Sequence, residues 1–209
     1  KEVGGDLYDF FLLDDNHLCF TIGDVSGKGV PASLFMAVTK TLIKAKADKH
    51  LKSDEILNRV NDDLCSDNDS CMFVTEFLGI MDISTGEIVY SNGGHNLPYI
   101  VRCNGSIEIL EKTEGIALGV VEGLTYGRNS CKLNLGDTLL MYTDGVTEAM
   151  NEKGELFNEH RLEEVLQGFG DSSSQKQIQM ILDALKAYTA EAQQSDDITI
   201  VSLKYTLAV

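Results

Sequence analysis

The sequence predicts an α+β domain in which antiparallel hairpins are combined with two pairs of helices. Three observations carry this. The runs Leu7–Leu13 and Leu18–Gly23 flank the turn cluster Asp14-Asp15-Asn16, the pattern of a hairpin. Between Met72 and Leu110, strand-like runs are separated only by short turns. Helical periodicity recurs four times, in Val30–Lys46, Asp54–Cys65, Glu155–Leu166 and Gln175–Glu191. At 209 residues the chain is read as one domain spanning 1–209.

Taken in order, Asp6 follows Gly4-Gly5 and opens the first strand. Pairing of that strand with Leu18–Gly23 carries the Asp6 end and the Asp24 end to one sheet edge. The second strand runs into Gly23-Asp-Val-Ser-Gly-Lys-Gly-Val-Pro-Ala32. Glycines there permit a sharp turn and close approach to a ligand, and Pro31 suits the first turn of a helix. In that helix Leu34, Val38, Leu42 and Ala45 form an apolar stripe, expected to face the core. Ser53 is expected to cap the next helix, which has acids in its first turn and Ile56, Leu57, Val60 and Leu64 on one face. Ser66–Ser70 reads as a loop.

Met72–Asp82 and Glu87–Ser91 form a second hairpin about Ser84-Thr-Gly86. Asn92–Pro98 interrupts the strands, and Tyr99–Arg102 and Ile107–Leu110 flank the turn Asn104-Gly105. Gly115–Val120 is a small-residue connection. Gly136-Asp137 is a turn before Thr138–Thr143, a run apolar enough for a strand buried on both faces, and this run enters Asp144-Gly145 directly. After the last two helices, the second with Ile178, Ile181, Leu182, Leu185 and Tyr188 in its pattern, Ser195-Asp196-Asp197 leads into a final strand, Ile198–Leu203.

Composition narrows the function. Hydrophobic residues make up 43% and charged residues 24%, the balance of a globular domain. A formal net charge of −16 argues against nucleic acid, whose phosphates need basic neutralisation. No apolar run approaches the roughly 20 residues that cross a bilayer, so no membrane association is expected of this stretch. The five cysteines contain no C-x-x-C, and reduced thiols in the cytoplasm are expected. The opening Lys1-Glu2-Val3 has no initiator Met, which reads as a piece of a longer protein.

The glycine-rich turn fails as a phosphate loop. That motif needs G-x-x-x-x-G-K-[ST], whereas Gly23 and Gly27 enclose three residues and Gly29 follows Lys28. Acids are the better lead. Asp6, Asp24, Asp144 and the Asp196-Asp197 pair all flank strand ends, most with a glycine nearby. Any one of them alone is best read as a turn or cap residue. As a set, converging carboxylates repel and raise one another's pKa, and a hard divalent cation relieves this. Mg²⁺ and Mn²⁺ prefer carboxylate, carbonyl and water oxygens, and two such ions can drive displacement at phosphorus.

The motifs Val3-Gly-Gly-Asp-Leu-Tyr-Asp9, Gly23-Asp-Val-Ser-Gly-Lys-Gly29, Phe73-Val-Thr75, Gly93-Gly-His-Asn-Leu-Pro98, Leu118-Gly119, Gly136-Asp137, Tyr142-Thr-Asp-Gly-Val-Thr-Glu148 and Asp196-Asp-Ile-Thr199 follow in this order. Together they resemble the SpoIIE-like branch of the PPM metal-dependent serine/threonine phosphatases, which includes regulators of the RsbU type. The resemblance implies a four-layer α-β-β-α sandwich of two antiparallel sheets flanked by helices. It implies that Asp24 bridges two Mn²⁺ or Mg²⁺ ions, that the Val25 carbonyl completes one site, and that Asp144 and Asp196 ligate the other metal, with Asp197 in reserve. Asp6 acts through a metal-bound water or as a direct ligand, so Asp6 and Asp24 are the catalytic pair. Lys28 is placed to contact the phosphate, and His95, the other substrate-binding candidate, lies beside the site with packing of the loop as its preferred role.

By the same resemblance, a metal-activated water attacks the phosphorus of a phosphoserine or phosphothreonine directly. The expected substrate is a phosphorylated STAS-domain anti-anti-sigma protein in a sigma-factor pathway. An N-terminal sensory or receiver domain of the same chain and a homodimer are the other expected partners. A catalytically silent module on the same fold and a nucleotide-binding switch are the competing readings. The intact acids argue against the first and the failed phosphate loop against the second.

Overall fold

Local hydrogen bonding explains the first hairpin. Asp14 Oδ1 accepts from the backbone N–H groups of Asn16 at 2.8 Å and His17 at 2.9 Å, an Asx turn that reverses the chain. It joins strands β1 (Leu7–Leu12) and β2 (His17–Val25). The computed structural model describes residues 4–48, 50–66, 68–194 and 196–206, so Val3, Asp67 and Ser195 of the sequence motifs and loops lie outside the described residues. The chain divides into two units. The first runs to His95 and includes Glu111–Lys132; the second comprises Asn96–Leu110 and the chain from Leu133 on.

In the first unit, helices α1 (Val30–Lys46) and α2 (Ser53–Ser66) follow the hairpin, then strands β3 (Val74–Asp82) and β4 (Glu87–Gly93). A further strand, numbered β7 because β5 and β6 precede it in the chain, spans Asn129–Lys132. The sheet is antiparallel in the order β1-β2-β3-β4-β7. One face, bearing Cys19, Val25, Val74 and Leu78, packs with Ile43 of α1 and with Ile56, Leu57, Val60 and Leu64 of α2. The other face carries Phe20 beside Phe77, which stacks on Tyr90 with ring centroids 5.5 Å apart.

The second unit holds β5 (Tyr99–Val101), β6 (Ile107–Ile109), β8 (Thr138–Tyr142) and β9 (Ile200–Lys204) in an antiparallel sheet ordered β6-β5-β8-β9. Helices α3 (Asp144–Thr147), α4 (Asn158–Leu166) and α5 (Ser174–Thr189) belong to it. Tyr99, Val101, Leu140 and Tyr142 share a core with Leu162, Leu166, Ile181 and Leu185. All five residues of β8 are buried, as its continuous apolar run predicts. Each unit is thus an antiparallel sheet with helices packed on it, the arrangement the sequence pattern implies. Among the described residues no helix is long and apolar enough to cross a membrane.

Several expectations need correction. The α1 stripe faces the core only through Leu42, which packs on it partly buried: Leu34 is 63% and Val38 51% exposed, while Ala32, Thr39 and Ile43 are buried. This helix is apolar on more than one side, so a four-residue repeat marks a stripe without saying which stripe is covered. Ser53 is not a cap but the first residue of α2, and its hydroxyl bonds Ser91 Oγ of β4 at 2.9 Å. Glu55 instead closes the helix start by accepting from Lys52 N–H at 2.8 Å. Strand β7 escaped notice because Asn-Ser-Cys-Lys has little strand propensity. Residues 151–157 form a turn rather than helix, with Asn151 Oδ1 accepting from Lys153 N–H at 2.9 Å and Glu155 N–H at 3.0 Å.

Candidate active site

Register places the first acids. Leu7 pairs with Gly23, so Asp6 and Asp24 are the residues next to the last pair of this ladder. Strand β2 does not stop before Asp24 but carries it through to Val25, paired with Thr75 and Val74 of β3. The main chain ahead of β1 comes very close: a methyl group on Gly5 would lie 3.1 Å from the Val25 carbonyl oxygen and 3.6 Å from Asp24 Oδ1. A carboxylate and a carbonyl oxygen therefore border the space that Gly5 leaves free. Ser33 Oγ of α1 donates to the Gly4 carbonyl at 3.0 Å and ties this segment to the helix that follows the turn.

Beyond Val25 the turn is held by Ser26, whose N–H donates to the Phe73 carbonyl at 2.9 Å and whose Oγ accepts from Phe73 N–H at 3.0 Å. Gly27 and Gly29 both have positive φ, 88° and 76°, a conformation that glycine adopts without steric cost. Lys28 sits exposed between them.

His95 is buried, 6% exposed, in the same unit. Its Nδ1 lies 3.0 Å from Thr75 Oγ1, and that hydroxyl is 3.4 Å from the Asp24 carbonyl. Asn92 fixes the His95 backbone from both sides, accepting from its N–H at 2.7 Å and donating to its carbonyl at 2.9 Å. His95 is thus linked to the Asp24 strand through Thr75.

The second unit carries the remaining acids. Strands β8 and β9 are prolonged by Thr143, whose N–H donates to the Thr199 carbonyl at 3.1 Å and whose Oγ1 accepts from Thr199 N–H at 3.0 Å. This zip holds Asp144, the first residue of α3, beside the Asp196–Ile198 segment. The approach is so close that a side chain on Gly145 would collide with the Asp197 carbonyl. Glu148 N–H donates to the Asp144 carbonyl at 2.7 Å. Burial, then the charges of Asp144 and Asp196, push the Glu148 carboxyl above its usual range, so this part of the unit concentrates negative charge. Asp197 N–H donates to Asp196 Oδ1 at 2.9 Å, which turns the first acid of the pair back on its own chain.

The first unit therefore groups Asp6, Asp24, Val25 and His95, with Lys28 on the adjoining turn. The second groups Asp144, Asp196 and Asp197. Among the described residues no three His, Cys, Asp or Glu side chains are gathered as a metal cluster. Sequence reasoning overlooked Thr75 and Asn92, which position His95, although Thr75 stands inside one of the motifs. It also passed over Glu148, four residues after Asp144, and Glu76. Glu76 is fully buried and takes a hydrogen bond from Thr21 Oγ1. Its Oε2 has no hydrogen-bond partner among the described residues, and burial drives its pKa well up.

Comparison with known proteins agrees with this architecture. IcfG from Synechocystis sp. is 32% identical over 97% of this chain and 36% of its own length. The phosphoserine phosphatase RsbU of Bacillus subtilis is 26% identical over 98% of this chain and 60% of its own. The chain thus spans less than two thirds of the length of each of these relatives. The SiaA-PP2C domain of Pseudomonas aeruginosa superposes with a TM-score of 0.85 over 97% of this chain and 81% of that one, at 22% identity, so the fold is that of PP2C phosphatase domains. The Stage II sporulation protein E (SpoIIE) family matches residues 14–206, nearly the whole sequence, and the chain belongs to that family.

Proposed function

We propose that this chain is a divalent-metal-dependent protein phosphatase acting on phosphoserine or phosphothreonine. The observation that carries the proposal is the meeting of Asp24 Oδ1 and the Val25 carbonyl at Gly5, the residue next to Asp6. These are hard oxygen donors, the kind that Mg²⁺ and Mn²⁺ favour. The donor chemistry and the side-chain-free space at Gly5 fit such an ion. Asp6, Asp24 and Val25 would hold a cation in the first unit, and Asp144 and Asp196, with Asp197 in reserve, would hold a cation in the second. When bound, a divalent cation supplies charge neutralisation for a phosphate and a more acidic water.

The chain's own residues do the rest. Asp24 presents its carboxylate from β2, and Asp6 presents its own from the segment just ahead of β1. His95, through Thr75, holds β3 against the Asp24 backbone. Lys28 offers a positive charge to an incoming phosphate from its exposed turn. Asp144 and Asp196 bear their charge beside Glu148, whose raised pKa lets it keep a proton more readily than an ordinary carboxyl.

RsbU is a phosphoserine phosphatase by name, and family resemblance extends the proposal to a phosphorylated STAS-domain anti-anti-sigma protein as substrate. A sensory or receiver domain elsewhere in the same protein, a homodimer and a cytoplasmic location belong to the same reading. The net charge of −16 fits a protein partner better than nucleic acid.

The test pairs turnover with binding. The protein should hydrolyse p-nitrophenyl phosphate and a phosphoserine peptide only when Mn²⁺ or Mg²⁺ is supplied, and calorimetry should record Mn²⁺ binding. Removing an outer partner of a metal site typically costs about 10–100-fold, so Asp24→Asn and Asp144→Asn should each lower turnover by about 100-fold or more and weaken Mn²⁺ binding. Turnover that persists in EDTA, or both variants retaining full activity, rejects the proposal.

A further inference from the structure

In the second unit a cavity of about 220 Å³ opens between α3 and α5, with Gly145, Ala149, Leu182, Leu185 and Ile198 among its walls and Lys186 beside them. Its floor is apolar: Ala149 is 6% and Leu185 4% exposed. Two wall residues come straight from the acidic segments, since Gly145 follows Asp144 and Ile198 follows Asp197. The same close main-chain approach that sets Gly145 against the Asp197 carbonyl therefore shapes both the acids and the cavity. Asp144 and Asp197 are thus each one residue along the chain from a wall of the cavity.

We propose that this cavity docks one aliphatic side chain, of leucine size, from the phosphoprotein substrate, close in sequence to the phosphorylated residue. The inference rests on the phosphatase reading above and adds a specificity determinant to it. Size selects the occupant. Cofactor and drug-like pockets usually run to roughly 300–1,000 Å³, whereas an apolar cavity of roughly 150 Å³ already admits a benzene ring. A space of about 220 Å³ thus suits a single side chain. Charge points the same way. Lys186 brings a cation to the cavity in a chain of net charge −16, and a phosphoserine segment brings about −1.5 to −2 charges. An apolar side chain flanked by negative charge meets both features.

The experiment uses labelled nonapeptides with a central non-hydrolysable phosphonate isostere of phosphoserine, in a glycine and serine background. A single leucine is moved through the flanking positions and compared with alanine. Binding is read by fluorescence anisotropy in Mn²⁺ buffer. Pocket filling is typically worth about tenfold or more, so leucine at one or two positions should tighten binding by about tenfold over alanine.

That preference should fall to about onefold in Leu182→Asp and in Met150→Asp, Met150 being a further wall residue of the cavity. Both residues are substantially exposed, 40% and 43%, and thermal melts confirm that each variant is folded. If no position prefers leucine, or if the preference survives both substitutions, the docking site is wrong. Hydrolysis of the matching phosphoserine peptides separates the two claims. Turnover without leucine preference rejects the docking site alone, and preference without turnover rejects the phosphatase reading alone.

Discussion

Glu76 makes a prediction that can be worked from one buried proton. The side chain sits on β3, fully buried, with Oε1 accepting from Thr21 and Oε2 without a hydrogen-bond partner among the described residues. Burial raises its pKa well above 4.5, and the Thr21 hydrogen bond lowers it only in part. The folded chain therefore keeps a proton that the unfolded chain releases. Its contribution to stability is fully present below the unfolded pKa and is lost as pH rises toward the folded one. In that window one proton changes stability by about 1.4 kcal/mol per pH unit. For a domain of this size about 1 kcal/mol moves Tm by about 2–4 °C, so the slope is about 3–6 °C per pH unit. Glu76→Gln keeps the shape and the acceptor for Thr21 but has no charge to desolvate. Its Tm should fall less steeply than wild type above pH 5, leaving the variant the more stable protein at pH 8. Melts of both proteins from pH 5 to 8 in EDTA check this, because the other titrating groups cancel in the difference. Parallel Tm curves would refute the assignment of a protonated, buried Glu76.

Asp137 should behave with the opposite sign. It is buried, and burial alone would raise its pKa, but the Arg102 guanidinium and the N–H groups of Asn134 and Cys103 hold it below the usual range. Asp137→Asn should cost about 2–3 kcal/mol at pH 7, and the gap between variant and wild type in urea denaturation should narrow as pH falls toward 3. The two sides of α1 give a second contrast. Ile43→Ala, at a site 1% exposed, should cost about 2–5 kcal/mol, whereas Leu34→Ala, at 63% exposed, should cost under about 0.5 kcal/mol; equal costs would contradict the observed burial. Gly145→Ala must displace the Asp197 backbone and should destabilise by about 1–3 kcal/mol while weakening Mn²⁺ binding by calorimetry.

Much of the fold was legible because its signals are local. The Asp14 turn, the two-sided apolar run of β8 and the α2 stripe each follow from a few neighbouring residues, and each is where the pattern placed it. The first hairpin also brings the chain ends next to Asp6 and Asp24 together, with Leu7 opposite Gly23, since a turn fixes register and register fixes what lies opposite. The failures share a cause as well. Which face of α1 is covered depends on the sheet beneath it, and Thr39, a polar residue, is buried there because its hydroxyl bonds the Phe35 carbonyl at 2.9 Å. Ser53 reads as a cap by type, yet its hydroxyl is claimed by Ser91, 38 residues away. Likewise β7 is a strand because β4 offers it an edge, from Glu87↔Lys132 to Tyr90↔Asn129, not because its residues favour one.

For the site, the acids were found as glycine neighbours at strand ends, but the reason for the glycines differs from the turn logic that flagged them. Gly27 and Gly29 do take positive φ, as a tight turn requires. Gly5 and Gly145 do not; they are small because main chain must meet main chain, at Val25 in one case and at Asp197 in the other. An alanine tolerates their dihedral angles but collides with the Asp197 carbonyl at Gly145 and is crowded by the Val25 carbonyl at Gly5. That distinction changes what a glycine beside an acid means. In both units it marks the place where another chain segment brings a carbonyl oxygen against the glycine next to an acid, the Val25 carbonyl at Gly5, which precedes Asp6, and the Asp197 carbonyl at Gly145, which follows Asp144. A site for a hard cation needs several oxygens from different segments at short range, and a residue without a side chain is the least costly way to let those segments close on one another.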